Sequence, residues 1–197
     1  MESSMMTSPN KTSRPYCIPI FIAIFTAFPS YAEEAIKEAT PADTARVFEL
    51  AEQISSQLEK TPSQFIQSWP GTKISNLITL DGIKASSISG GKIKIGDHIN
   101  AKDSLIKTSP GAGKITSVLL SLEGSCISRK DFKNRYPAYL ISNIPRGQSN
   151  SEMLTLAVIR KDKKMEFSFP QSTPQCLSAI NIAPADSQIL KAAGEVK

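Results

Sequence analysis

The spacing of apolar residues changes along this chain, and the change divides it into a helical opening and a longer sheet-forming part. After Thr40 the apolar residues Val47, Leu50, Ala51, Ile54 and Leu58 recur at helical intervals and so share one face of an amphipathic helix. Its start is marked three times over: Thr40 is a good N-cap, Pro41 suits the first helical position, and Asp43 puts negative charge at the positive end of the helix dipole. A second start follows at once. Thr61-Pro62-Ser63-Gln64 has the spacing of a capping box and opens a short helix carrying Phe65, Ile66 and Trp69, which Pro70-Gly71 ends.

Beyond Gly71 the period falls to two. Short β-rich runs at 74–80, 83–88 and 92–95 are separated by Asp81-Gly82 and Gly90-Gly91, dipeptides that make tight turns, so a meander is expected. Residues 100–113 read as a longer loop, leading to the most apolar strand, 115–122. Ser128 then caps a third helix, 129–136, with Asp131 at its third position and Pro137 closing it. Residues 138–151 read as an extended segment and a loop rich in Pro, Gly, Asn and Ser. The clearest hairpin follows: Leu154, Leu156 and Val158 alternate on one strand and Met165, Phe167 and Phe169 on the other, with 161–164 as the turn. Such alternation suits a sheet with one face on helices and one in water. A last apolar stretch, 177–182, precedes a polar, Ala-rich tail. The expected class is α+β: two amino-terminal helices packed on an antiparallel sheet, with a third short helix inserted.

Composition adds an address. Lys11 and Arg14 precede an uncharged apolar run, 18–28, which is shorter than the roughly 20 residues that a bilayer requires but suits the h-region of a secretory signal peptide. Ser30 and Ala32 are small residues at the −3 and −1 positions, so cleavage is expected between Ala32 and Glu33. Cys17 lies inside the apolar run without the preceding small residues of a lipobox. The expected organisation is a signal peptide at 1–32, a polar lead-in at 33–39, a single domain at 40–183 and a flexible tail at 184–197. If left uncut, the same opening residues would tether the chain to the inner membrane. The charge is modest: net +5 for 197 residues, falling to +4 once Lys11, Arg14 and Glu2 leave with the signal. That is too little, and too scattered, for a nucleic-acid surface, though it allows weak attraction to acidic partners.

Export also assigns the cysteines. Cys17 leaves with the signal, and Cys126 and Cys176 remain as an even pair in an oxidising compartment, where a disulfide is the default. Neither has the neighbouring cysteine of a C-x-x-C redox site.

The single histidine, His98, follows Gly96-Asp97 in a turn, and this removes most nucleophilic triads and zinc sites, which need a placed histidine or several ligands. The segment 109–116 departs from a phosphate loop at both ends, having Thr108 where the motif needs glycine and Ile115 after Lys114. Asp81, Asp97, Asp103 and Glu123 fall at turns and strand ends, where no spacing brings two acids together. No metal or cofactor is expected. Two basic groups remain: Arg129, Lys130, Lys133 and Arg135 on the third helix, and Lys161, Lys163 and Lys164 at the hairpin turn. Both read first as solvated faces; the helix group is the candidate docking surface for an acidic protein partner. Trp69 reads as a core anchor.

The two opening helices, with T-P-x-x-F-x-x-x-W-P-G at 61–71, followed by a meander, resemble the small exported helix-on-sheet domains of the BamE/SmpA and β-lactamase-inhibitor-protein type over residues 40–124. The resemblance is one of architecture, and it implies a binding or scaffolding role. The expected function is therefore a non-enzymatic, periplasmic or secreted binding protein, an inhibitor or immunity protein that neutralises a toxin or hydrolase. The alternative is an envelope assembly or maintenance factor that binds outer-membrane protein or peptidoglycan, without stable membrane insertion once the signal is removed.

Overall fold

Helix α1 (Pro41–Gln57) starts where its residues signal it, with the Thr40 side chain accepting a hydrogen bond from the Asp43 backbone N–H at 3.1 Å. The computed structural model describes residues 36–72, 75–79, 86–109 and 113–195. The expected signal segment 1–32, its Ala32–Glu33 junction and the Asp81-Gly82 turn lie outside these described residues. Val47, Leu50, Ala51, Ile54 and Leu58 are all buried, and Phe48 joins them, so the apolar stripe of α1 is wider than the spacing alone indicates. Helix α2 (Pro62–Gln67) has the complete capping box formed by Thr61 and Gln64.

Nine strands form one sheet among the described residues: β1 (Ser75–Thr79), β2 (Ser86–Ser89), β3 (Ile93–Lys94), β4 (Ile99–Thr108), β5 (Ile115–Gly124), β6 (Leu140–Asn143), β7 (Met153–Arg160), β8 (Lys163–Pro170) and β9 (Ala179–Pro184). Their spatial order is β1-β2-β4-β5-β9-β8-β7-β6, with β3 pairing β4 off that path, and every strand pair is antiparallel. The sheet is thus two meanders, β1–β5 and β6–β9, joined where β9 returns to lie beside β5, with Val118 opposite Ile182 and Leu120 opposite Ile180. Helix α3 (Arg129–Arg135), capped by Ser128 and Asp131, carries the chain from the centre of the sheet to its far edge at β6.

The α+β class is as expected, but the helical layer is not the expected pair of amino-terminal helices. Helix α1 lies against β8 and β9, and α3 joins it through Phe132, whose ring centre is 5.0 Å from that of Phe167. Helix α2, at six residues, is too short to cover strands and instead supplies Phe65 and, just beyond its end, Trp69 to the core. Phe48, Phe132, Tyr136 and Phe167 meet at centroid distances of 5.0–5.8 Å, the edge-to-face and tilted arrangements that aromatic quadrupoles favour.

Two local outcomes differ from the pattern-based reading, and a third takes the helical alternative for a tail expected to be frayed or weakly helical. Most of the loop expected at 100–113 is strand β4, whose alternation is hidden by a bulge: buried positions run Ile99, Ala101, then Ser104, Ile106 and Thr108, with the pairing slipping between Ala101 and Asp103. One extra residue reverses the phase of everything after it. The polar lead-in is stitched to the domain, because Cys126 donates its backbone N–H to the Lys37 carbonyl and Ala39 donates to the Cys126 carbonyl, both at 2.8 Å. In the expected tail, Pro184 closes β9 and residues Ser187–Glu195 form helix α4.

The W-P-G turn after α2 locks onto the corner between β2 and β3. The indole of Trp69 donates to the Gly90 carbonyl at 2.9 Å and stacks on Phe65. A Cβ on Gly90 would fall 2.6 Å from Ser104 Oγ and 2.7 Å from Trp69 Nε1, so only glycine lets the indole close this corner.

Cys126 and Cys176 form a disulfide with Cα atoms 4.9 Å apart, closing a sequence separation of 50. The segments that carry them already run antiparallel, with Leu177 donating to Ile127 at 2.9 Å and Ser128 bridged to Cys176. Chain-entropy reasoning puts a loop of this length at about 4 kcal/mol. We expect Cys126→Ser/Cys176→Ser to lose roughly 3–4 kcal/mol in urea unfolding, and the wild type in excess dithiothreitol to fall to the same level. A wild type indifferent to the reductant would show that the crosslink contributes nothing.

Candidate functional site

Glu52 on α1, Glu59 just past its end, a basic residue at the end of α3 and the β7–β8 turn surround a cleft of about 840 Å³. Glu52 lies within the helix and Glu59 in the turn that follows it, and both line the cleft. Arg135 Nη2 donates to Glu52 Oε2 and the Tyr136 hydroxyl donates to Glu52 Oε1, each at 3.0 Å. Burial, reinforced by the Glu52 carboxylate, pushes the Tyr136 phenol well above its ordinary range, so it remains a donor at any physiological pH.

The floor of the cleft is Lys163, only 7% exposed. Its ammonium donates to Asp162 at 2.6 Å and to Glu59 at 3.0 Å. Burial alone would lower its pKa; the two carboxylate hydrogen bonds outweigh that and hold it above the ordinary lysine value. Lys163 is thus a buried tie between the end of α1 and the hairpin, not part of an exposed turn. The turn itself is only Lys161-Asp162, because Arg160 pairs with Lys163.

Two cations on the cleft remain. Arg160 lies over the Tyr136 ring, its guanidinium carbon 5.9 Å from the centroid, and Lys161 stands at the turn with φ +56°, in the left-handed region. Both are exposed, and neither makes an ion pair among the described residues.

A second polar cluster fastens the other end of α1. Asp43, 2% exposed, accepts from the Asp97 backbone N–H at 3.1 Å and faces His98 Nδ1 at 3.4 Å, with Arg46 at 3.9 Å. Burial opposes its charge, but the donors from Asp97, Thr40 and His98 prevail and keep its carboxyl below the ordinary aspartate value. The turn can come this close because residue 96 is glycine, where a Cβ would sit 2.0 Å from Asp43 Oδ1. His98, expected in an exposed turn, is therefore half-exposed and oriented by a buried carboxylate.

The third cluster lies on the opposite sheet face. Glu166 accepts from Ser142 at 2.7 Å, from Asn181 at 2.8 Å and from Lys164 at 2.9 Å, tying β6, β8 and β9 together. Burial raises its pKa, but these three donors more than reverse the effect and leave it below the ordinary glutamate value.

The four basic residues expected to form one docking stripe on the third helix separate. Arg135 enters the cleft, Arg129 turns to Gln175 beside the disulfide at 3.4 Å, and Lys130 and Lys133 are exposed without an ion pair among the described residues. Of the hairpin lysines, Lys161 and Lys163 line the cleft while Lys164 faces the other side of the sheet. Asp97, Asp103 and Glu123 do not line it; Asp103 accepts from the Ser104 N–H, and Glu123 pairs with Lys92 at 3.9 Å. Among the described residues no three His, Cys, Asp or Glu side chains come together as a metal site, and no helix is long and apolar enough to cross a membrane.

Fold and site together define a disulfide-braced α+β protein with a cleft walled by ion pairs. Compared with known protein families, characterised proteins and solved structures, the chain matches none.

The Glu166 cluster sets a pH dependence. Its depressed folded pKa stabilises the fold fully above the ordinary glutamate value of 4.5, and that stabilisation is lost as pH falls through the folded value. Thermal unfolding at pH 7 should therefore show Glu166→Gln clearly less stable than wild type. At pH 3 the gap should narrow; an equal gap at both pH values would rule out the charged form as the origin of the effect.

Proposed function

We propose that this chain is an exported binding protein of the bacterial envelope, of the inhibitor or immunity-protein kind, acting on a toxin or hydrolase. The observation that carries the reading is the state of the cleft carboxylates. Glu52 is held by Arg135 and Tyr136, and Glu59 and Asp162 by Lys163. Carboxylates and cations paired in this way form one charged surface across α1, α3 and the hairpin, the kind of patch on which a partner of complementary charge docks. Export rests on Lys11 and Arg14 before the apolar run and the small residues at 30 and 32, and a disulfide brace suits an oxidising compartment. The helix-on-sheet resemblance points the same way, to a protein that binds.

The test is fractionation and capture with the full chain, tagged at its carboxyl end and expressed in its native host. An inhibitor should be released by osmotic shock and co-purify with one envelope or secreted protein. Sedimentation with membranes or sacculi would instead favour the envelope assembly reading, and recovery of no partner from the host or its competitors would overturn both.

A further inference from the structure

We propose that the α1–α3–hairpin cleft takes an acidic peptide segment of the partner, whose carboxylates are received by Arg160 and Lys161. This deepens the binding reading above and rests on it. The argument begins with which charges are already compensated. Arg135 and Lys163 are committed to Glu52, Glu59 and Asp162, so their charge is spent inside the wall of the cleft. Arg160 and Lys161 form no close ion pair among the described residues, Lys161 feeling only at longer range the Asp162 carboxylate that Lys163 already holds, and they lie side by side on the hairpin at the cleft.

Arg160 is also oriented. Its guanidinium carbon lies 5.9 Å from the centre of the Tyr136 ring, within cation–π reach, and the ring is itself anchored through its hydroxyl to Glu52. A guanidinium presents a planar fork that matches a carboxylate in two parallel hydrogen bonds. Lys161 occupies a left-handed backbone position where glycine or asparagine would be less strained. A cleft of about 840 Å³ with two neighbouring cations at its hairpin side has room for a peptide segment with more than one carboxylate, beyond what a single small anion would fill.

The experiment uses the full chain and a fluorescein-labelled hexapeptide of glutamates, read by fluorescence anisotropy at low salt, with inorganic phosphate and a hexalysine peptide as comparison probes. Lys161→Asn is the key variant, since asparagine tolerates the left-handed turn; its melting temperature should stay level or rise while acidic-peptide affinity drops roughly tenfold. Arg160→Gln should lose a similar factor. Lys130→Gln/Lys133→Gln, on the outer side of α3, should bind like wild type. The inference is overturned if the hexaglutamate fails to bind, if Lys161→Asn and Arg160→Gln bind it unchanged, if the α3 variant is the one that loses affinity, or if phosphate competes at the concentration where it binds alone. A host partner captured equally by wild type and Lys161→Asn would overturn this assignment and leave the binding reading standing. Hexaglutamate binding lost in both hairpin variants would uphold the site even where no host partner is recovered.

Discussion

The pairing of β5 with β9 is the constraint on which the rest of the molecule depends. Each meander taken alone would expose a long free edge and bury little. The return of β9 to β5 closes both edges at once and brings Val118, Leu120, Ile180 and Ile182 into one apolar layer. It is also the contact most distant in sequence within the sheet, so it is formed against the largest loop-closure entropy. The disulfide sits at the end of this seam. Cys126 follows β5 and Cys176 precedes β9, and the hydrogen bonds from Leu122 to Ser178 and from Leu177 to Ile127 continue the ladder up to the bridge. The crosslink therefore shortens the one closure that matters most.

Features written in local residues were legible from the chain. Thr40, Thr61 and Ser128 cap their helices because capping needs only a side-chain oxygen and the next three residues. The β7–β8 hairpin was visible from its alternation, and the cysteine pairing followed from there being two left over. Strand β4 was hidden by its bulge and by Ser104 and Thr108 at buried positions, where apolar residues would have revealed the period. Phe48 escaped because the apolar face of α1 is broad enough to hold adjacent residues. The cleft was the least legible part. Its ion pairs join residues 83 and 104 apart, and no local pattern marks Glu52 or Glu59 as anything but solvated helix acids.

Helix α1 is fastened at both ends by buried charge, and the two fastenings reach different halves of the sheet. At its start Asp43 holds the β3–β4 turn through Asp97 and His98; just past its end Glu59 holds the β7–β8 hairpin through Lys163. The helix thus spans the β5–β9 seam from above as the disulfide ties it from the side. Burying a charged group is costly unless its partners are in place, so neither fastening tolerates an approximate position. The polar ends specify where the helix lies, and the apolar stripe between them supplies the adhesion.

This fastening also determines what the cleft offers. Because Lys163 must answer Glu59 and Asp162, and Arg135 must answer Glu52, the two central cations are neutralised by their structural duty. The next cations along the hairpin, Arg160 and Lys161, form no close ion pair among the described residues and carry positive charge to the rim. A surface made in this way has an internally neutral base and a positive edge, so the charge that acts at long range and the ion pairs that hold the fold sit on different residues. Substitution at positions 160 and 161 therefore leaves in place the ion pairs that hold α1 on the sheet.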